Sequence, residues 1–408
     1  MTAGWAAMLA VLVLAAVRDG VGSELTRSAS SLVHFVALYP AGVRIGSLCA
    51  IESYARMATA AHPRQAGGGG HNVVLWVLNR TQVLKDHHQV LAGLAVDVAK
   101  ANAQRGDASW FQLTIAETSY EHIFAGTSLG TFYATRTRAS LGTFGNQNRA
   151  NAARLALVSK HGGLYVDNDI VFLRDTAHLQ KANFVALESG CQLNNSPFQF
   201  AARGSPFLKR LMDKFVERYR GSTWGAQGPR LFSRKVMQVC PVTFARASGC
   251  NITHFLASVG SARVDDEPWC QDLHVFTQKD FAPIHWGNKA AFLAPDDGTY
   301  SAAADNLPRP MCENTRLVAR AQGAFQIHLY HSQLTKPEAA LCKRDMRRYL
   351  RSSISRLRAC MCPRVHAARF FGAHSRSRLA SNESSATERE ELSGKAPNRL
   401  DRGCQSIV

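Results

Sequence analysis

Asp167 and Asp169 stand one residue apart in the run "GGLYVDNDIVFL", with apolar neighbours on both sides. Two carboxylates at this spacing, at the carboxyl end of a strand, suit a hard divalent cation. An ion held there could bridge a diphosphate and would neutralise charge that builds on a leaving group. The competing reading is a strand end with solvated carboxylates, and Asp-x-Asp alone does not decide between them. If the run is extended, both carboxylates point to one side, and Val166, Asn168 and Ile170 to the other.

The elements around the pair read as an α/β domain. "LVHFVALY" (32–39) and "NVVLWVL" (72–78) are buried strands and "WFQLTIA" (110–116) is a third strand, with helices over 47–60 and 83–104. This alternation predicts a mostly parallel central sheet flanked by helices. Open sheets of this kind hold ligands at the carboxyl ends of their strands. "ANAARLALVSKHGG" predicts a helix just before the pair, stopped by Gly162. On it Asn151 and Arg154 lie three apart and share a face. The four glycines of "HPRQAGGGGHN" are read as a loop, since no Lys-Ser/Thr follows to make a phosphate cradle. In "SPFLKRLMDKFVERYRG", Ser205 caps a helix, Pro206 takes its first position and Gly221 ends it. Its stripe of Phe207, Leu208, Leu211, Met212, Phe215 and Val216 is core. "STWGAQGPRLFSRKV" opens as a turn and continues as a helix. There is no internal repeat.

The chain has 408 residues and a formal charge of +18. An apolar run from Trp5 to Val17 is short for a membrane span, which needs roughly 20 residues. It has the length of a secretory core, with small residues at Val21-Gly22-Ser23 for cleavage. A cleaved signal peptide, a short signal-anchor and a buried helix stay open. A lumenal setting accounts for ten cysteines. Cys240 and Cys250 enclose a short segment and are the first candidate bridge. Cys360 and Cys362 are too close to bridge each other. Sequons at Asn79, Asn194, Asn251 and Asn382 suit the same compartment. Between Lys343 and Arg378, eleven Lys or Arg face one acid, Asp345. This is read as a solvated, partly disordered tail; attraction to anionic lipid headgroups or acidic glycans is the alternative. Nucleic acid is not an expected partner of a lumenal chain. The domain plan is therefore a leader over 1–23, a catalytic domain over 30–345 and a basic tail over 346–408.

"NRANAARLALVSKHGGLYVDNDIVFL" resembles the DXD-containing sugar transferases of glycosyltransferase family 32, in particular the α-1,4-galactosyltransferase and α-1,4-N-acetylglucosaminyltransferase group. The pattern there is S-D-x-x-R-x-x-x-L-x-x-x-G-G-x-Y-x-D-x-D. "LCAIESYARM", "CQLNNSPFQFA", "GSTWGAQGPRLFSRKV", "FAPIHW" and "QIHLYHS" resemble further segments of the family, in order, over about 32–336. The resemblance implies a GT-A fold, a UDP-sugar donor, Mn2+ or Mg2+ dependence and retention of anomeric configuration. It also implies a glycan or glycolipid acceptor and a Golgi-lumenal location. Asp167, Asp169 and His328 would hold the metal. Arg154, Asn151, Tyr165 and Asn194 would line the donor, and Gln227 would join the aspartates in catalysis. The chain departs from the pattern at Ala150, Asn151, Val158 and Tyr330-His331, where the family has Ser, Asp, Leu and Trp-Asn. The lost charge at Asn151 leaves a second reading open, a non-catalytic sugar-binding protein with the same fold. Glu188 is a weak candidate for a nucleophile.

Overall fold

The computed structural model describes residues 32–38, 43–60, 70–106, 110–179, 182–252, 257, 265–296 and 315–371. The leader, the four-glycine loop, Cys312, Cys404, Asn382 and the chain beyond 371 lie outside them. Among the described residues, no helix is long and apolar enough to cross a membrane.

Among the described residues, nine strands form two sheets. The large sheet has the order β3-β2-β1-β4-β7-β6-β8. Its strands are β1 (Leu32–Ala37), β2 (His71–Val77), β3 (Phe111–Glu117), β4 (Gly163–Val166), β6 (Asn183–Ser189), β7 (Gln192–Phe200) and β8 (Leu273–Phe276). The β3-β2-β1-β4 half is parallel. β7 runs antiparallel to β4 and β6, and β8 is parallel to β6. The small sheet pairs β5 (Ile170–Phe172) with β9 (Gln326–His328), antiparallel. This is the expected α/β architecture, a mostly parallel sheet with helices on both sides.

Side-chain alternation divides the core between the two faces of the sheet. Val33, Phe35, Val73 and Leu75 join one cluster with α1 (Leu48–Ala60) and α2 (Arg80–Arg105). Leu32, Val36, Val74 and Trp76 join the other. There they meet α3 (Gly145–His161), α4 (Pro206–Glu217) and α5 (Pro229–Val239). Parallel strands buried on both faces need continuous apolar runs, which is how these segments read.

Four local expectations change. The Asp pair does not lie within one strand: β4 ends at Val166 and β5 starts at Ile170, so both aspartates sit in the turn between two sheets. α4 ends at Glu217, four residues before Gly221. Gly221 instead lets two backbones touch, since a Cβ there would come within 2.0 Å of the Leu141 carbonyl oxygen.

The Cys240–Cys250 bridge does not form. The two flank a helix of eight residues, Pro241–Ser248, which rises about 12 Å, beyond disulfide reach. Cys240 pairs with Cys270, Cys191 with Cys250, and Cys49 with Cys362. The last of these bears on the fourth change.

Residues 346–371, assigned to a basic tail, are folded. After α6 (His331–Arg344) and a short helical turn come α7 (Ser353–Met361) and α8 (Pro363–Phe371). Ile354, Leu357 and Val365 enter the core cluster that contains α1. Buried Arg358 and Arg369 pair with buried Glu338, and Arg364 pairs with Asp97. Part of the positive run is thus spent inside the molecule, because acids from distant segments meet it there.

Candidate active site

Gly162 and Gly163 deliver the chain to the site. Gly162 closes α3 at φ 70°, and Gly163 follows at φ 93°. A Cβ on Gly163 would stand 2.4 Å from the Leu32 carbonyl oxygen, so only glycine brings β4 against β1. β1 has β2 on one side and β4 on the other, so the strand order reverses there. Crevices beside such reversals, at the carboxyl ends of the strands, are where open sheets hold ligands. The Asp167–Asp169 turn leaves β4 at that edge. Asn168 ties it down by donating from Nδ2 to the Val36 carbonyl at 2.7 Å.

The small sheet supplies the third group. Its register sets His328 opposite Ile170, and Leu329 N–H donates to the Asp169 carbonyl at 2.7 Å. His328 Nε2 then lies 3.2 Å from Asp169 Oδ1. Asp167, Asp169 and His328 each offer one ligand atom, all within 4.8 Å of one another. Burial works against a charged His328 imidazole, but Asp169, with Asp167 and Glu188 beyond it, outweighs burial and raises its pKa. Glu188, on β6, has its carboxyl pushed above the usual range by burial; His328 pulls it back and Asp167 pushes it further up.

Arg154 and Tyr165 hold the first aspartate. Arg154 reaches Asp167 Oδ1 at 3.0 Å and Oδ2 at 3.4 Å, and its guanidinium lies 4.6 Å above the Tyr165 ring. The Tyr165 hydroxyl donates to Asp167 Oδ1 at 2.9 Å. Asp167 N–H donates to Ser196 Oγ at 2.7 Å. The carboxylate is therefore held by two side chains and its backbone by a third, as a preorganised ligand must be.

Asn151 acts at one remove. Its Oδ1 accepts from Asn195 Nδ2 at 2.8 Å, and the Asn195 carbonyl accepts from Arg154 at 2.8 Å. Asn151, Asn195, Gln227 and Gly228 line one small cavity. Gln227 is buried there, and its Nε2 donates to the Phe215 carbonyl at 2.6 Å, near the end of α4. Asn194 is buried, and its Oδ1 accepts from the N–H of Ser196 at 3.2 Å.

The structure thus gathers Asp167, Asp169, His328, Arg154 and Tyr165 into one cluster. Asn151 joins it through Asn195, Gln227 lines the same small cavity as both, and Asn194 connects to Asp167 through Ser196. Asn195 and Ser196 are the residues that strand alternation misses. The pairing of β6 with β7 shifts register between Val185 and Ala186, and such a bulge re-aims the neighbouring side chains.

Comparison with known proteins gives concordant results. Residues 97–185 match the model for the glycosyltransferase sugar-binding region containing the DXD motif. Residues 200–369 match that for the alpha 1,4-glycosyltransferase conserved region. Human alpha-1,4-N-acetylglucosaminyltransferase is 36% identical over 91 residues, 22% of this chain and 26% of that one. Human lactosylceramide 4-alpha-galactosyltransferase is 25% identical over 221 residues, 54% of this chain and 49% of that one. The aligned segments span about half or less of these human relatives. The Pongo pygmaeus lactosylceramide 4-alpha-galactosyltransferase aligns over the same length at 25% identity, and there 80% is covered. The solved PaToxG Glycosyltransferase superposes with a TM-score of 0.36 at 12% identity, covering 65% of this chain and 93% of that one. The two matched regions, 97–185 and 200–369, follow one another along this chain.

Proposed function

We propose that this chain, carrying the DXD and α-1,4-glycosyltransferase regions, is a metal-dependent retaining glycosyltransferase. It moves a hexose, galactose or N-acetylglucosamine, from a UDP-sugar to a hydroxyl of a glycan or glycolipid and forms an α-glycoside. The observation that carries the proposal is the Asp167–Asp169–His328 cluster at the carboxyl edge of the sheet.

The donor set fits the ion that this chemistry needs. Two carboxylates and one imidazole suit Mn2+ well, and Mg2+ less so because of the nitrogen. His328 Nδ1 is buried with no hydrogen-bond partner among the described residues, and Nε2 faces the carboxylates. Asp167, Asp169 and His328 would hold the ion, which supplies positive charge against the departing diphosphate. The chain's own residues do the rest. Arg154 and Tyr165 keep Asp167 in one orientation, so little reorganisation is needed as charge moves. Asn151 and Gln227 set Asn195 and the end of α4 behind them. Ser196 and Asn168 anchor the turn. Glu188 is a carboxylate of raised pKa facing the same centre.

The three disulfides among the described residues support an oxidising compartment, the Golgi lumen in this reading.

The test is release of free UDP from UDP-galactose and UDP-N-acetylglucosamine with Mn2+. Wild type should release UDP and Asp169→Ala should not. Equal background from both would leave the non-catalytic sugar-binding reading in its place.

A further inference from the structure

Tyr330 follows β9 and stands at the start of α6. Among the described residues it is the one non-glycine with positive φ, at 47° with ψ 56°. Left-handed backbone is costly for a residue with a Cβ, and it persists only where the surroundings hold it. Here it lays the phenol ring on the His328 imidazole, with centroids 4.0 Å apart and planes 23° apart. Tyr330 is 5% exposed, yet its hydroxyl has no hydrogen-bond partner among the described residues.

A buried hydroxyl without a partner is destabilising, and phenylalanine would fill the same space without that cost. Two unfavourable features therefore meet at one residue, stacked on a member of the Asp167–Asp169–His328 cluster. The hydroxyl lies within electrostatic reach of Glu188 and Asp169. Such a place selects its ligand. A sugar hydroxyl both donates and accepts, so it can sit between a phenol and a carboxylate.

We propose, resting on the glycosyltransferase reading above, that the Tyr330 hydroxyl is a specificity-determining group. It donates a hydrogen bond to a hydroxyl of the donor's hexose. The sugar then satisfies the phenol that the free protein leaves unpaired.

The test is calorimetric titration of wild type and Tyr330→Phe with UDP, UDP-galactose and UDP-N-acetylglucosamine in Mn2+, with the Tm of each free protein. The substitution should raise Kd for the UDP-sugar that wild type binds best by about 3- to 10-fold, the worth of one neutral hydrogen bond. Kd for UDP should not change, and Tm should hold or rise. Equal weakening of UDP and UDP-sugar would move the contact to the diphosphate and overturn the proposal. So would unchanged binding of both, or a fall in Tm, which would make the hydroxyl structural. If wild type binds neither UDP nor a UDP-sugar, the glycosyltransferase reading itself fails and this inference falls with it.

Discussion

His328 Nε2 lies 3.2 Å from Asp169 Oδ1, although distant segments of the chain supply the two. The antiparallel pairing of β5 with β9 makes the contact, by setting His328 opposite Ile170. The same pairing presents Asp167 to the same space, so the three groups act on one ligand.

That relationship predicts the metal dependence. His328→Ala should weaken Mn2+ binding by at least about 10-fold, the lower end of what lost metal-site support costs. UDP release should fall in step and recover partly at high Mn2+. Calorimetric titration of the ion measures the first quantity. An unchanged Mn2+ affinity would remove His328 from the metal site.

Arg154 and Asn151 give a graded series. Arg154→Lys cannot reach both Asp167 oxygens and the Asn195 carbonyl together. Charge-assisted hydrogen bonds contribute about 1.5–3 kcal/mol, so UDP release should drop about 10- to 100-fold. Asn151→Asp keeps an oxygen acceptor for Asn195 and should stay close to wild type. Asn151→Ala frees Asn195 and should fall between the two. An aspartate variant as weak as the alanine variant would show that the amide nitrogen matters instead.

The folded C-terminal helices predict how truncation behaves. Glu52 accepts from the N–H groups of Arg364 and Val365, both at 2.9 Å, and so caps the start of α8. Cys49–Cys362 ties the same two helices. A chain ending at Asp345 would expose the core that Ile354, Leu357 and Val365 cover, and it should not give a cooperative thermal transition. Replacing Cys49 and Cys362 together by serine should cost about 2–4 kcal/mol in chemical denaturation. A truncated chain with the full-length Tm would restore the disordered-tail reading.

Histidine burial predicts acid lability. Burial pushes the His34 pKa down from 6.5 to about 3, although Nε2 donates to the Gly162 carbonyl at 2.8 Å. Burial, with Arg369 and Arg358 nearby, likewise lowers His366 to about 3, and burial lowers His161 to about 4. The folded state binds fewer protons at these sites than the unfolded chain. Stability is therefore complete above pH 6.5 and declines toward pH 3 to 4. Each fully buried site takes about 1.4 kcal/mol per pH unit below 6.5. His328, Glu52 and Glu188, whose pKa values are raised, work in the opposite direction, and the expected net change follows the three histidines held near 3 to 4. Denaturation midpoints should fall between pH 7.5 and pH 5; equal midpoints would contradict the buried neutral histidines.

Legibility followed the range of the interaction. Strands β1 to β3, helices α1 to α3 and the Ser205–Pro206 start of α4 are readable because period, caps and turn residues act within a few positions. The carboxylate pair at the end of β4 is readable for the same reason. Bridge partners are not, since spacing along the chain says nothing of the helix that holds Cys240 from Cys250. Nor is the role of Asn195, because the bulge that turns it toward Asn151 forms between β6 and β7 and belongs to neither alone.

The sequence by itself determined an α/β chain with two aspartates at a strand's carboxyl edge, a face bearing Asn151 and Arg154, and a fold whose motifs resemble DXD sugar transferases. Only the tertiary structure decided that the aspartates occupy a turn between two sheets, that His328 meets Asp169, and that Arg358 and Arg369 neutralise Glu338 in the core. It alone left the Tyr330 hydroxyl buried beside the cluster. Local propensity is written in neighbouring residues. Proximity between distant ones exists only once burial of the two apolar faces has closed the chain on itself, and the site is made of such proximities.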